Sequence, residues 1–250
     1  MSPQAGRLVI LSGPSCVGKS PLIKSLGRFY PELHASFHKL VLVNSRSPRP
    51  GEVDGVDYHF RTRAQVEALR GDGRYVVLPV RSDLQALDVP ELEALLQRGD
   101  VFFEGNSTVG RELQTNPRLA GVNRLSIFLS PLSREEIDYL KAPERNLSLH
   151  DFLTDVMRRK LLRRTRRHRG ELSAKDLQDI ETRASSAYCE LQEAKHFQYV
   201  ISNHDGEDSD HWEAFYYLIG DARKSLEAFV GLLKGELPAG VETWDGDVLP

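Results

Sequence analysis

The stretch Arg7-Leu8-Val9-Ile10-Leu11-Ser12-Gly13-Pro14-Ser15-Cys16-Val17-Gly18-Lys19-Ser20-Pro21-Leu22 governs the reading of the whole chain. Arg7 to Leu11 is a short apolar run suited to a buried parallel strand. Gly13 to Ser20 fills every fixed position of the pattern G-x-x-x-x-G-K-[ST]. From Pro21 to Phe29, the residues Leu22, Ile23, Leu26 and Phe29 recur at helical spacing. Strand, glycine turn and helix in that order form the first half of a βαβ unit, the context that separates a phosphate loop from a chance glycine turn. The glycines let backbone N–H groups converge on a phosphate, and the helix N-terminus adds partial positive charge. Lys19 can reach the outer phosphates of ATP, and the Ser20 hydroxyl is a ligand for Mg²⁺. The expected nucleotide-binding set is therefore Gly13, Pro14, Ser15, Cys16, Val17, Gly18, Lys19, Ser20 and Pro21. Pro21 takes an early helical position, where its missing donor costs little.

Downstream, Leu40 to Asn44 reads as a second strand, and Pro48, Pro50, Gly51 and Gly55 enforce an irregular loop ending at Tyr58-His59-Phe60. Thr62 to Leu69 reads as a short helix capped by Thr62, Arg74 to Val80 as a strand, and Pro90 to Gln97 as a helix. Val101 to Glu104 and Leu125 to Leu129 are further apolar runs. Met157 to Arg169 is the densest basic run, and Leu153, Met157 and Leu161 give it one apolar stripe. Leu177 to Leu191 marks another helix, Phe197 to Ser202 a strand, and Trp212 to Leu233 a long amphipathic final helix that includes Phe215, Tyr216 and Ile219. The segment after Lys234, with its Gly, Pro and acids, reads as a loose tail. Alternating strands and helices predict an α/β fold with an open parallel sheet flanked by helices.

Composition sets the outer bounds. The chain has 250 residues, 40% hydrophobic and 28% charged, enough apolar material for a core. A net charge of −3 gives no global pull toward nucleic acid or an anionic membrane. Two cysteines, Cys16 and Cys189, are too few for a disulfide framework. Cys16 sits beside a lysine and a helix start, which leaves a reactive thiol or simple packing as its readings, with packing favoured. There is no apolar leader and no apolar run of about 18 residues, which predicts a soluble, cytoplasmic protein without membrane contact.

The second informative segment is Ser45-Arg46-Ser47-Pro48-Arg49-Pro50-Gly51-Glu52-Val53-Asp54-Gly55-Val56-Asp57-Tyr58-His59-Phe60. Two arginines on a proline-stiffened loop present paired guanidinium forks, which suits a phosphate monoester, and Tyr58 adds a hydroxyl donor. On charge alone a solvated basic turn competes with that reading.

This segment resembles the acceptor loop of the guanylate kinase family, T-R-x-P-R-x-G-E-x-x-G-x-D-Y-x-F, from Arg46 to Phe60, with Ser45 in place of the threonine. The phosphate loop, Ile127 to Ser133, and Thr182 to Asp205 are similar to segments of the same family, so the likeness covers most of residues 7–230. It implies a P-loop NTPase-type parallel sheet flanked by helices, with an acceptor-binding insert and a helical lid. The implied layout is a single domain over 1–235: core 1–44, 99–140 and 196–235, insert 45–98, lid with insertion 141–195, and tail 236–250. It also implies ATP and Mg²⁺ as cofactors and transfer of a phosphoryl group to a small phosphate-bearing acceptor, GMP first. Arg46, Arg49, Glu52, Tyr58, Glu104 and Asn106 would bind the acceptor, and Ser20 and Glu104 would organise the metal. Lys19, Arg46, Arg49, Arg166, Arg169 and Arg183 would act on the transferring group, while Asn203 would join the nucleotide site. Charge on that group must be stabilised while water is excluded, which is work suited to lid arginines. The basic run is read as a lid ahead of a solvated face, and as a nucleic-acid patch last.

Three departures qualify the resemblance. The family's glutamate that reads guanine and its Tyr-Gly turn are missing between Tyr75 and Leu84, and Leu42 stands where a base-contacting serine is expected. The strand end Phe103-Glu104-Gly105-Asn106 has lost one carboxylate. Residues 141–160 read as an insertion that either reshapes the lid or forms a homodimer contact. These changes leave another nucleoside monophosphate, or a sugar phosphate such as ribose bisphosphate, as alternative acceptors. A binding module without catalysis is a further alternative, against which the intact Gly18, Lys19 and Ser20 argue.

Overall fold

A computed structural model describes residues 6–49 and 51–249. Pro50, one of the prolines expected to stiffen the acceptor loop, lies outside the described residues. In chain order the elements are β1 (Leu8–Ser12), α1 (Lys19–Phe29), α2 (Pro31–Ala35), β2 (His38–Lys39), β3 (Val43–Asn44), β4 (His59–Phe60) and α3 (Arg63–Ala68). Then come β5 (Tyr75–Val80), β6 (Asp83–Asp88), α4 (Val89–Leu96), β7 (Val101–Gly105), α5 (Ser107–Thr115), β8 (Arg124–Ser130) and α6 (Arg134–Lys141). The chain closes with α7 (Leu149–Arg169), α8 (Ala174–Ser185), α9 (Ala187–Gln192), β9 (Tyr199–Ser202), α10 (Gly220–Leu233) and β10 (Val241–Glu242).

These elements build a six-stranded sheet in the order β10-β9-β8-β1-β7-β2 and a four-stranded sheet in the order β4-β3-β6-β5. In the larger sheet β2 runs parallel to β7 and β8 parallel to β9, while β10 is antiparallel. The fully buried β1 has only apolar residues up to its final serine, as a strand covered on both faces requires. The result is the expected α/β fold with a mostly parallel sheet flanked by helices.

The chain divides into two compact units whose limits do not follow the expected core, insert and lid. The first takes in the chain up to Ile10, Ala35–Phe103 and Glu112–Leu125. Its four-stranded sheet packs Val43, Val77, Leu84 and Ala86 against Val66 of α3. Thr62 caps α3 as expected, in a capping box with Gln65. The second unit takes in Leu11–His34, Glu104–Arg111 and the chain from Ser126 onward. Its core holds Leu22, Leu26, Phe128, Leu153, Met157, Leu161, Val200 and Phe229, with Phe128 and Phe197 edge-on at 5.3 Å.

Four expectations are corrected. Leu40 to Asn44 is not one strand: the Leu40 amide donates to Phe102, whereas the Leu42 carbonyl accepts from His59, so the chain changes sheets between them. The helix expected from Leu177 to Leu191 breaks at Ser186 into α8 and α9. The last helix begins at Gly220 rather than Trp212, because the Asp205 carboxylate accepts the Ala222 amide at 3.0 Å and caps it there. Phe215, Tyr216 and Tyr217 are consequently exposed, with the Phe29 ring stacked on Tyr217 at 6.2 Å. Finally, the segment read as a loose tail carries β10, paired with β9, and buries Trp244, Val248 and Leu249. Among the described residues, no helix is long and apolar enough to cross a membrane.

Candidate active site

The phosphate loop lies between β1 and α1 in the second unit. Gly18 adopts φ 109°, and a Cβ on it would come within 2.5 Å of Asn203 Nδ2 and 2.8 Å of the Asp205 carbonyl, so glycine is required there. The N-cap residue Gly18 has no side chain to cap α1, and the first turn carries no acid. A helix N-terminus of this kind suits an anion. Lys19 is 8% exposed, and its Nζ donates to the carbonyls of Gly13 at 2.7 Å and Pro14 at 2.8 Å. The Ser20 hydroxyl donates to Glu104 Oε1 at 3.0 Å, bringing the loop and the end of β7 together as expected.

The loop is held from behind by the segment after β9. Asn203 is fully buried, and its Nδ2 donates to the carbonyls of Val17 and Asp205, both at 2.7 Å. The Glu207 amide donates to the Cys16 carbonyl at 3.3 Å. Cys16 is buried, and that burial, with the nearby Glu207 carboxylate, pushes its thiol up to about 12. Packing is thus its role, and a thiolate is excluded at neutral pH.

The basic helix α7 has a partner that sequence reasoning missed. Arg163 pairs with Asp208 at 2.7 Å, Arg167 with Asp210 at 2.7 Å, and Arg164 with Glu207. Burial works against the Arg164 charge, but Glu207 outweighs it and holds the guanidinium above its ordinary value. The buried Lys160 ammonium donates to the His204 carbonyl, and burial pulls its pKa down. The signal was present as an acidic run, Asp205-Gly206-Glu207-Asp208-Ser209-Asp210. Of the expected lid arginines, Arg169 pairs with Asp176, which closes the capping box of α8 with Ser173, and Arg166 makes no ion pair among the described residues. Arg183 lies in the last turn of α8. Asn106 Oδ1 accepts from the Thr108 amide at 2.9 Å and its Nδ2 donates to Glu190 at 3.3 Å, so this residue starts α5 and ties it to α9.

The acceptor loop lies in the first unit. Arg46 and Glu52 form a two-bond pair, with both N–O distances 2.6 Å. Glu52 also accepts the Arg49 amide at 2.7 Å, and the Arg49 guanidinium is 45% exposed. Burial opposes the Glu52 charge, but the bonds from Arg46 and Arg49 outweigh it and hold the carboxyl below its ordinary value. The Arg46 guanidinium lies 5.1 Å from the Tyr58 ring centre and 5.5 Å from that of Phe60. Arg46, Arg49, Glu52 and Tyr58 are therefore brought together.

A family model described as Guanylate kinase matches residues 5–75, which contain both loops. Guanylate kinase of Rickettsia bellii is 27% identical over 211 residues, covering 84% of this chain and 92% of that protein. The chain is similar to guanylate kinases in sequence over both loops and in fold. The same enzyme from Mycolicibacterium paratuberculosis is 36% identical over 137 residues, 53% of this chain and 58% of the relative. The chain thus spans little more than half the length of that relative. Guanylate kinase from Anaplasma phagocytophilum shares the fold, with TM-score 0.53 and 18% identity over 92% of this chain and 86% of its own. The departures noted in the sequence persist in the structure: Leu42 is buried and apolar, and the hairpin of β5 and β6 carries no glutamate.

Proposed function

We propose that this chain is an ATP-dependent kinase that phosphorylates a nucleoside monophosphate, GMP first, giving ADP and GDP. The intact cradle from Gly13 to Ser20 carries this reading, with Lys19 and Ser20 in its first helical turn and Glu104 3.0 Å from the Ser20 hydroxyl. Ser20 and Glu104 are hard oxygen donors of the kind Mg²⁺ takes, and no group of three or more His, Cys, Asp or Glu able to hold a metal occurs among the described residues. The two would hold the ion together with phosphate oxygens and water. Bound there, Mg²⁺ would neutralise charge on the donor phosphates.

In this reading the P-loop amides and Lys19 bind the donor phosphates, while Arg46, Arg49 and Tyr58 bind the acceptor phosphate and Glu52 positions Arg46. Arg166 and Arg183 act on the transferring group. Arg169 keeps its place in the proposal only if it leaves Asp176 on closure. The paired arginines of α7 support an additional role in docking the lid on the segment Asp205–Asp210. Localisation in the cytoplasm and assembly as a homodimer belong to the same proposal. The test is ADP release from ATP and Mg²⁺ with GMP as acceptor, before and after Lys19→Ala. Turnover that depends on GMP and collapses in the folded variant supports the reading. Tight ATP binding that the substitution leaves unchanged refutes it.

A further inference from the structure

Two carboxamides stand side by side in the first unit with hydrogen-bonding capacity that no described residue takes up. Asn44 and Gln85 are direct partners in the antiparallel pairing of β3 with β6. Their side chains therefore leave the same face of the sheet with Cβ atoms about 5 Å apart. That face is the one opposite α3, because the alternate residues Val43, Leu84 and Ala86 pack with Val66. Asn44 is 1% exposed and Gln85 7%.

The Asn44 carbonyl oxygen accepts from the Arg46 amide at 3.1 Å, which orients the carboxamide with Oδ1 toward Arg46 and both Nδ2 donors still to place. Among the described residues nothing accepts from Asn44 Nδ2, and Gln85 has no side-chain partner at all. Neither amide is among the sealed polar atoms without partners. Leaving a buried amide unbonded costs about 1–3 kcal/mol. A pair of them marks a place where something else completes the bonding.

Their neighbours indicate what. Asn44 is also level with Phe60, and Gln85 with Leu78, so Phe60, Asn44, Gln85 and Leu78 form one row across the four strands. Arg46 follows two residues beyond Asn44, about 7 Å along the strand direction. Asp83 is at the Arg46 end of β6, whereas Leu42 and Leu87 close the other end. The strip thus runs from a guanidinium, through two neutral amides, to leucine. A nucleoside monophosphate with its phosphate on Arg46 would bring its base over the amides.

We propose that Asn44 and Gln85 read the acceptor base by its lactam edge, the adjoining C=O and N–H of a 6-oxopurine. Asn44 Nδ2 donates to the carbonyl oxygen, and Gln85 Oε1 accepts from the ring N–H. This rests on the acceptor-kinase reading above. A neutral amide pair lacks the carboxylate that would take a 2-amino group together with the ring N–H, and Asp83 stands at the phosphate end. Guanine and hypoxanthine are therefore read alike. Adenine presents an amino donor where the lactam has its carbonyl, and meets the Asn44 donor without a bond.

The experiment measures GMP, IMP and AMP as acceptors in an ADP-release assay and, separately, their binding by calorimetry. GMP and IMP should agree within about tenfold, and AMP should be at least about 100-fold weaker. In Gln85→Glu the new carboxylate can hold the 2-amino group and ring N–H together. GMP should then gain on IMP by about tenfold or more, a ratio that loss of folded protein cannot produce. Asn44→Leu should weaken GMP and IMP in parallel, with the ATP KM unchanged. A wild-type preference for GMP over IMP beyond about 100-fold, or an unchanged ratio in Gln85→Glu, overturns the proposal. Equal binding of GMP and IMP without ADP release upholds the base reading and refutes the kinase reading. ADP release with a sugar phosphate and no binding of either purine nucleotide does the reverse.

Discussion

The Asn203 amide donates to the Val17 carbonyl at 2.7 Å, joining the segment after β9 to the middle of the phosphate loop across 186 positions of the chain. The same amide reaches the Asp205 carbonyl, and the side chain is fully buried. Replacing it by alanine would leave two buried carbonyls without that donor. We expect Asn203→Ala to lower stability by about 1–3 kcal/mol and to weaken ATP more than the acceptor. Chemical denaturation and separate KM values for the two substrates check this.

Ser20 and Glu104, the pair proposed to hold Mg²⁺, meet at 3.0 Å. Ser20→Ala and Glu104→Gln should each raise the Mg²⁺ concentration needed for half-maximal turnover while leaving thermal stability nearly unchanged. A metal titration identical to that of the wild type would remove both residues from the metal site.

Glu52 holds Arg46 through two bonds, and although burial opposes its charge, the bonds from Arg46 and Arg49 keep the folded carboxyl below its ordinary value. A depressed carboxyl stabilises the fold above its unfolded pKa, so this contribution is complete above about pH 4.5 and disappears as the pH falls through the lower folded value. Glu52→Gln should therefore lose stability at neutral pH, by about 1 kcal/mol or less for a partly exposed pair, and converge with the wild type in acid. Acceptor KM should rise about tenfold with ATP KM unaffected, measurable by steady-state kinetics between pH 4 and 7.

Cys16 is buried with its thiol pushed up to about 12, whereas Cys189 is exposed. Alkylation of the native protein at pH 8 should label Cys189 alone, and unfolding should release both thiols. Peptide mass spectrometry after a short iodoacetamide pulse reads the outcome. Rapid native labelling of Cys16 would contradict the burial.

The C-terminal segment is bound to the second unit. Glu242 accepts the Arg134 amide at 3.0 Å, Lys141 donates to the Val248 carbonyl at 3.1 Å, and Trp244 is buried. Trp244→Ala should cost about 3–5 kcal/mol, and removing residues 241–250 should lower the melting temperature by at least as much. A melting curve unmoved by either change would return this segment to the loose state its composition suggests.

Much of the fold was legible because local chemistry announced it. The buried β1 and the glycine cradle need particular residues in a particular order, so the motif and its flanks agree with the structure over Leu8–Phe29. Thr62 caps α3 as its place before the helix predicts, and the structure adds Gln65 to that cap. The failures lie where two patterns compete. Trp212 to Ile219 satisfies helical periodicity, but Asp205 caps a helix that starts at Gly220, and no periodicity contains a carboxylate fifteen or more residues upstream. Likewise β10 is a two-residue strand whose stability comes from β9, not from its own composition.

By itself the amino-acid order determined the phosphate cradle, the arginine-bearing acceptor loop and the alternating α/β plan, because each depends on residues close together in the chain. Only the tertiary structure decided which arginines of α7 are already spent on Glu207, Asp208 and Asp210, and that Asn203 fastens the loop from behind. It alone paired Asn44 with Gln85. Those relations join positions far apart in the chain, and strand register and packing, which bring them into contact, are collective properties that no local spacing encodes.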